Sequence, residues 1–195
     1  MKFFEIQKIK NAWGNLNLIP MQMPSSVNTY LHKLACHYQN GSVYFLHFKT
    51  DNCNELSGLF SHDNWRYSKI HEEIWIHPTI SNLLPKLNNI KIDKNTFEYS
   101  NYFELTSFLA SILHNGGAYT SLDQRINREI CFNLAFDVVK DILPNNSNDP
   151  NEEIILINDN IPWCDFFYDI TWDYSIITFC KVAKLFSVFL LTDTD

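Results

Sequence analysis

Thr171-Trp172-Asp173-Tyr174-Ser175-Ile176-Ile177-Thr178-Phe179-Cys180, then Lys181-Val182-Ala183-Lys184, then Leu185-Phe186-Ser187-Val188-Phe189-Leu190-Leu191-Thr192, is the stretch on which the fold turns. β-Branched and aromatic residues fill both outer runs, and the short lysine-flanked segment between them reads as the loop of a hairpin. In the first run Trp172, Tyr174, Ile176 and Thr178 alternate with Asp173, Ser175, Ile177 and Phe179. Both faces carry apolar residues, which predicts a strand that is well covered.

Working outward, Ser42 to Lys49 (SVYFLHFK) is the clearest strand of the first half, and Ile154 to Ile157 adds a short one. Three helices are expected around them. Ser26 offers a cap for residues 27–38, with Leu31, Leu34, Ala35 and Tyr38 on one face. Asn101 or Ser100 can cap 102–113, where Leu105, Phe108, Leu109 and Ile112 form a stripe. Asn115-Gly116-Gly117 stops that helix. Ser121 with Gln124 reads as a capping box for a helix over 122–143, in which Ile126, Ile130, Leu134, Val138 and Ile142 recur every four residues, with Cys131, Ala135 and Val139 beside them, before Pro144. The expectation is one α+β domain over residues 1–195, with a mainly antiparallel sheet of 42–49, 154–157, 171–180 and 185–192 packed with at least three helices.

Residues 1–24 form an appendage whose packing the sequence does not specify, and 19–26 read as an irregular linker between prolines. The region 51–94 is ambiguous between strand and helix.

Charge is distributed unevenly. Of the 22 acids, nine (Asp149, Glu152, Glu153, Asp159, Asp165, Asp169, Asp173, Asp193 and Asp195) fall after Pro144, where only Lys181 and Lys184 are basic. Those nine and two account for the whole formal charge of -7. With hydrophobic residues at 46%, this acidic quarter belongs to a folded chain and not to a disordered tail. A pI near 5.4 without a basic cluster disfavours direct nucleic-acid binding. No run of about 18 apolar residues predicts a membrane span. Glu5, Gln7, Lys8 and Lys10 break any secretory signal, so the expected compartment is the cytosol. Five scattered cysteines without C-x-x-C predict free thiols and exclude a zinc ribbon.

Gly116-Gly117-Ala118-Tyr119, then Ile161-Pro162-Trp163, Phe166-Phe167, Thr171-Trp172-Asp173-Tyr174-Ser175 and the terminal Leu191-Thr192-Asp193-Thr194-Asp195 form an ordered string. From Gly116 to the end the chain resembles immunity proteins of polymorphic and contact-dependent growth-inhibition toxin systems in bacteria. The resemblance implies specific neutralisation of a cognate toxin domain and no catalysis of its own. Residues 1–115 carry no such likeness.

The residues themselves support binding over chemistry. An acidic, aromatic-bearing surface fits a basic protein partner, such as a nuclease toxin. Glu152, Glu153, Asp165 and Asp169 are the candidate partner-binding acids, and Trp163 or a neighbouring aromatic is the candidate anchor. Asp173 is the weakest candidate among these acids, because a strand carboxylate beside Trp172 can instead be satisfied internally. The alternatives are a small metal-dependent hydrolase using Asp165, Asp169 and Asp173, spaced by four as on a helix face, or a non-catalytic adaptor. His32 with Cys36, and His71-Glu72-Glu73 with His77, lack the further ligands or the H-E-x-x-H spacing of a zinc site. Cys131 lies on the apolar side of its helix, where a thiol is inert. No metal and no cofactor is expected.

Overall fold

The computed structural model describes residues 3–38, 40–51, 73–84, 87, 90, 97–145, 152–159 and 162–193. Its helices are α1 (Phe3–Gly14), α2 (Ser25–Ala35), α3 (Pro78–Leu83), α4 (Tyr102–Asn115) and α5 (Arg128–Ile142). Its strands are β1 (Leu18–Pro20), β2 (Ser42–Thr50), β3 (Glu98–Ser100), β4 (Glu153–Asp159), β5 (Tyr174–Cys180) and β6 (Leu185–Thr192). The six strands form one sheet in the order β1-β2-β6-β5-β4-β3, and every pairing is antiparallel. The protein is α+β, as the hairpin and helix signals predict.

The 171–192 hairpin lies at the centre of this sheet. Cys180 faces Leu185 and Tyr174 faces Leu191 across a loop in which Lys184 takes a left-handed φ of 57°. Its strands are covered on both sides because the sheet is the middle layer of three. On one face Ile155, Ile176, Phe189 and Leu191 meet Tyr30 and Leu34 of α2, Leu105 and Leu109 of α4, and Ala135 and Val138 of α5. On the other face Phe179, Phe186, Val188 and Leu190 meet Trp13, Leu16, Trp75, Ile80, Trp163 and Phe167. Burying apolar area is worth about 25 cal/mol per Å², and this hairpin gains it on both faces.

Several boundaries differ from the sequence reading. Residues 19–26 are not all linker: Leu18–Pro20 pairs with β2, and the Met21 N–H donates to the His47 carbonyl. The N-terminal appendage contributes Trp13, Leu16 and Leu18 to the core, with Trp13 edge-on to Phe186 at 5.1 Å. Helix α2 buries Val27, Tyr30 and Leu34 while Ala35 is exposed, and the Ser26 hydroxyl donates to Asp141 instead of capping its helix. Helix α4 begins as predicted, with Asn101 and Glu104 in a reciprocal capping box, and ends at Gly116 at φ 69°. That left-handed angle is one only glycine adopts without steric cost.

The largest shift is in α5. Ser121 and Gln124 do form their box, but on a single 3₁₀ turn at Leu122–Gln124. The helix starts at Arg128, where the Asn127 side chain accepts from the Glu129 N–H. Its buried face is Cys131, Ala135, Val138, Val139 and Ile142, whereas Ile130 is 50% exposed. A strict four-residue repeat overshoots a 3.6-residue turn by about 40° per step, so Ile126-Ile130-Leu134 walks off the core face. Strand β5 starts at Tyr174 and not at Thr171, because residues 171–173 close a turn in which the Asp173 N–H donates to the Ile170 carbonyl.

Candidate partner-binding surface

Several residues of the C-terminal motif string are stitched together inside the protein. Trp163 Nε1 donates to Ser175 Oγ at 2.8 Å. Thr192 Oγ1 donates to Asp173 Oδ1 at 2.6 Å. Asp193 Oδ2 accepts from the Ala118 N–H at 2.9 Å, and its Oδ1 from the Asn40 N–H at 3.3 Å. Trp163, Asp173, Ser175, Thr192 and Asp193 are all buried. Gly117 is a glycine because a Cβ there would lie 1.9 Å from Asp193 Oδ2 and 2.9 Å from the His37 carbonyl. These bonds are internal clamps: one joins the 163–167 segment to β5, one joins the root of β5 to the end of β6, and one joins β6 to the loop after α4.

Two buried carboxylates flank Thr192 in this arrangement. Burial raises the Asp173 carboxyl, opposed by hydrogen bonds from the Thr192 hydroxyl and from the backbone N–H groups of Ile170, Asp169 and Tyr168. The Tyr38 phenol is pushed far up, first by burial and then by Tyr174, Tyr30, Asp193 and Asp173. Among the described residues its hydroxyl has no hydrogen-bond partner.

Trp163, the candidate anchor, is buried in the core and not on the surface. It is 3% exposed and stacks on Trp75 at 4.2 Å, with Phe167 beside it at 5.5 Å. Glu153 is buried as well, at 6% exposure. It opens β4 opposite Cys180, and its charge raises the nearby Tyr102 phenol after the larger effect of burial. The strand alternation puts it on the same inward face as Ile155, which the counting of charges along the sequence does not reveal. Glu152 is half-buried, and its carbonyl accepts from the Lys181 N–H. Asp165 and Asp169 are exposed.

The loop 163–173 thus has two sides. Trp163, Cys164, Phe166 and Phe167 root it in the core, while Asp165, Tyr168 and Asp169 face solvent, Tyr168 at 61% exposure. The segment follows turns and not a helix, so the spacing of Asp165, Asp169 and Asp173 does not place them on one face. Asp173 points inward from below the loop and takes the Ile170 N–H at 3.1 Å. Asp169 is held at φ 63°, a left-handed conformation that aspartate tolerates better than most side chains. Among the described residues no group of His, Cys, Asp and Glu could hold a metal ion.

His77 is buried; its Nε2–H donates to the Leu16 carbonyl and its Nδ1 accepts from the Thr79 N–H at the start of α3. His71, Glu72 and Cys53 lie outside the described residues. Among the described residues Cys36 is an exposed free thiol, and Cys131, Cys164 and Cys180 are buried free thiols. Burial pushes the Cys164 thiol up to about 11, far from a reactive thiolate. Among the described residues no helix is long and apolar enough to cross a membrane.

Tyr168 is an exposed neighbour of Trp163 in the aromatic cluster, within the sequence expectation of Trp163 or a neighbouring aromatic as anchor. Sequence reasoning missed a second exposed aromatic feature. Phe132 and Phe136 on α5 and Phe103 on α4 are 46%, 39% and 63% exposed. The α5 pair could have been found by projecting the helix, since both fall off the face occupied by Cys131, Ala135 and Val138. No family model, curated protein or solved structure matches the chain.

Proposed function

We propose that this chain is a cytosolic immunity protein that binds a cognate toxin domain, a basic nuclease, and occludes its active site or substrate groove. The observation that carries this reading is the loop tip: an exposed tyrosine between two exposed carboxylates, on a backbone held from beneath by a buried aspartate. Tyrosine supplies large contact area at small entropic cost and is enriched at interface centres. The flanking carboxylates steer encounter with a basic surface and occupy positions that substrate phosphates would take. A loop pinned by Asp173 needs little further ordering on binding. The order of motifs in the C-terminal half, with its likeness to immunity proteins, supports the same reading. Tyr168 replaces Trp163 as the anchor.

The test is co-expression with the C-terminal domain of a secreted toxin encoded beside this gene. Wild type should restore growth, and a triple variant Asp165→Lys, Tyr168→Ala, Asp169→Asn should not, although it folds. Equal protection by both proteins, or none by either, would overturn the proposal.

A further inference from the structure

Helices α4 and α5 run antiparallel, since Tyr102 meets Phe136 at one end and His114 meets Arg128 at the other. Between them lies a solvent-facing groove of about 540 Å³. Its floor is made of the small residues Ser107, Ala110 and Ser111, with Phe132 as one wall. Phe103 and Phe136 extend the same strip beyond the groove toward the start of α4, both exposed. From position 103 to 114 the strip spans ~16 Å at 1.5 Å per residue. That is about three helical turns, longer than a drug-sized molecule needs and matched to a short peptide segment.

The far end of the strip has a fixed charge. The Ile126 carbonyl lies 2.7 Å from His114 Nδ1. A carbonyl only accepts, so Nδ1 carries the proton and Nε2 presents a lone pair. Arg128 Nε donates to that lone pair at 3.4 Å, and Arg128 lines the groove at this end. Among the described residues Arg128 has no carboxylate within ion-pair distance, although the chain is acidic. Glu129 lines the same end but does not pair with it.

We propose that this groove binds an amphipathic helical segment of a partner protein, apolar along one face and bearing a carboxylate at the end that meets Arg128. The apolar face packs on Phe132 and the small-residue floor, and the carboxylate takes the guanidinium N–H groups that His114 leaves open. This inference does not rest on the toxin reading, which concerns the 163–173 loop.

The experiment is selection of displayed random 16-residue peptides on the full-length protein, followed by affinity measurement with the enriched peptides as synthetic probes. Enriched sequences should carry apolar residues at helical spacing and an Asp or Glu at one end. Phe132→Ser should weaken binding at least tenfold. Arg128→Glu should shift the selected pool toward peptides ending in Lys or Arg, a reversal that misfolding would not produce. Glu129→Gln should tighten the acidic peptides a few-fold by removing a like charge. Peptides without that pattern, affinities unchanged in both Phe132→Ser and Arg128→Glu, or displacement of the peptides by benzoate alone would overturn the proposal. So would self-association of the protein that Phe132→Ser abolishes, since the groove would then be filled by a second copy.

Discussion

Asp173 and Asp193 on one side, and Asp165 and Asp169 on the other, come from the same acidic quarter of the chain and have opposite roles. The first pair is buried and accepts hydrogen bonds from a hydroxyl and from backbone N–H groups of residues brought in from 40, 118, 170 and 192. The second pair stands in solvent on a loop tip beside Tyr168. A surplus of carboxylates in a sequence therefore does not locate an interface. What separates structural from available acids is whether the fold supplies donors, because a buried carboxylate without them would not stay ionised.

The sharpest way to break this contrast is to remove the buried clamps. Trp163→Ala loses the stack on Trp75 and the Ser175 bond, and should destabilise the protein by about 4 kcal/mol. Asp193→Ala leaves the Asn40 and Ala118 N–H groups without their acceptor, and should cost about 3 kcal/mol, lowering Tm by roughly 10 °C for a chain of this size. Thermal or urea unfolding reads both. A change below about 1 kcal/mol in either would show that the motif string does not hold the fold.

The exposed side should behave in the opposite way. Tyr168→Ala should leave Tm within about 2 °C, yet weaken binding to the toxin domain about thirtyfold, roughly 2 kcal/mol. Asp165→Lys with Asp169→Asn should slow association about tenfold at low salt and flatten its salt dependence, without changing stability. Asparagine is the correct replacement at 169 because it tolerates the left-handed backbone that lysine would strain. Stopped-flow association at two ionic strengths gives the result, and unchanged rates would make the loop acids a solvated surface only.

The smallest expected effect is on pH dependence. The folded Asp173 carboxyl is raised above its unfolded value by burial. The folded state then binds the proton more tightly than the unfolded state does. The stability this supplies is fully present below about pH 4 and is lost as pH rises through the raised folded value. Urea midpoints of wild type against Asp173→Asn across pH 3 to 7 should show wild type losing ground as pH increases. The reverse slope would mean that the Thr192 and backbone hydrogen bonds outweigh burial.

Much of the architecture was readable before any coordinates. The alternation in 171–192, the strand at Ser42, the cap at Asn101 or Ser100 and the glycine stop at 116 are local signals, and local backbone chemistry is what they depend on. Others failed for physical reasons. The Ser121–Gln124 box caps only a 3₁₀ turn, since a cap motif does not say how far its helix continues. The four-residue repeat of α5 pointed at Ile130 because the core, and not the repeat, selects the buried face. The site was less legible than the fold. Trp163 and Glu153 looked like surface candidates and are interior, while Tyr168 and the phenylalanines of α4 and α5 are the exposed aromatics.

By itself, the sequence determined the fold class, the central hairpin and the concentration of acids in the last quarter, because these follow from side-chain periodicity and composition. Only the tertiary structure decided which acids are clamps and which face solvent. That choice depends on donors contributed by segments as far apart as Asn40, Ala118 and Thr192, and no local pattern in the chain records where such segments meet.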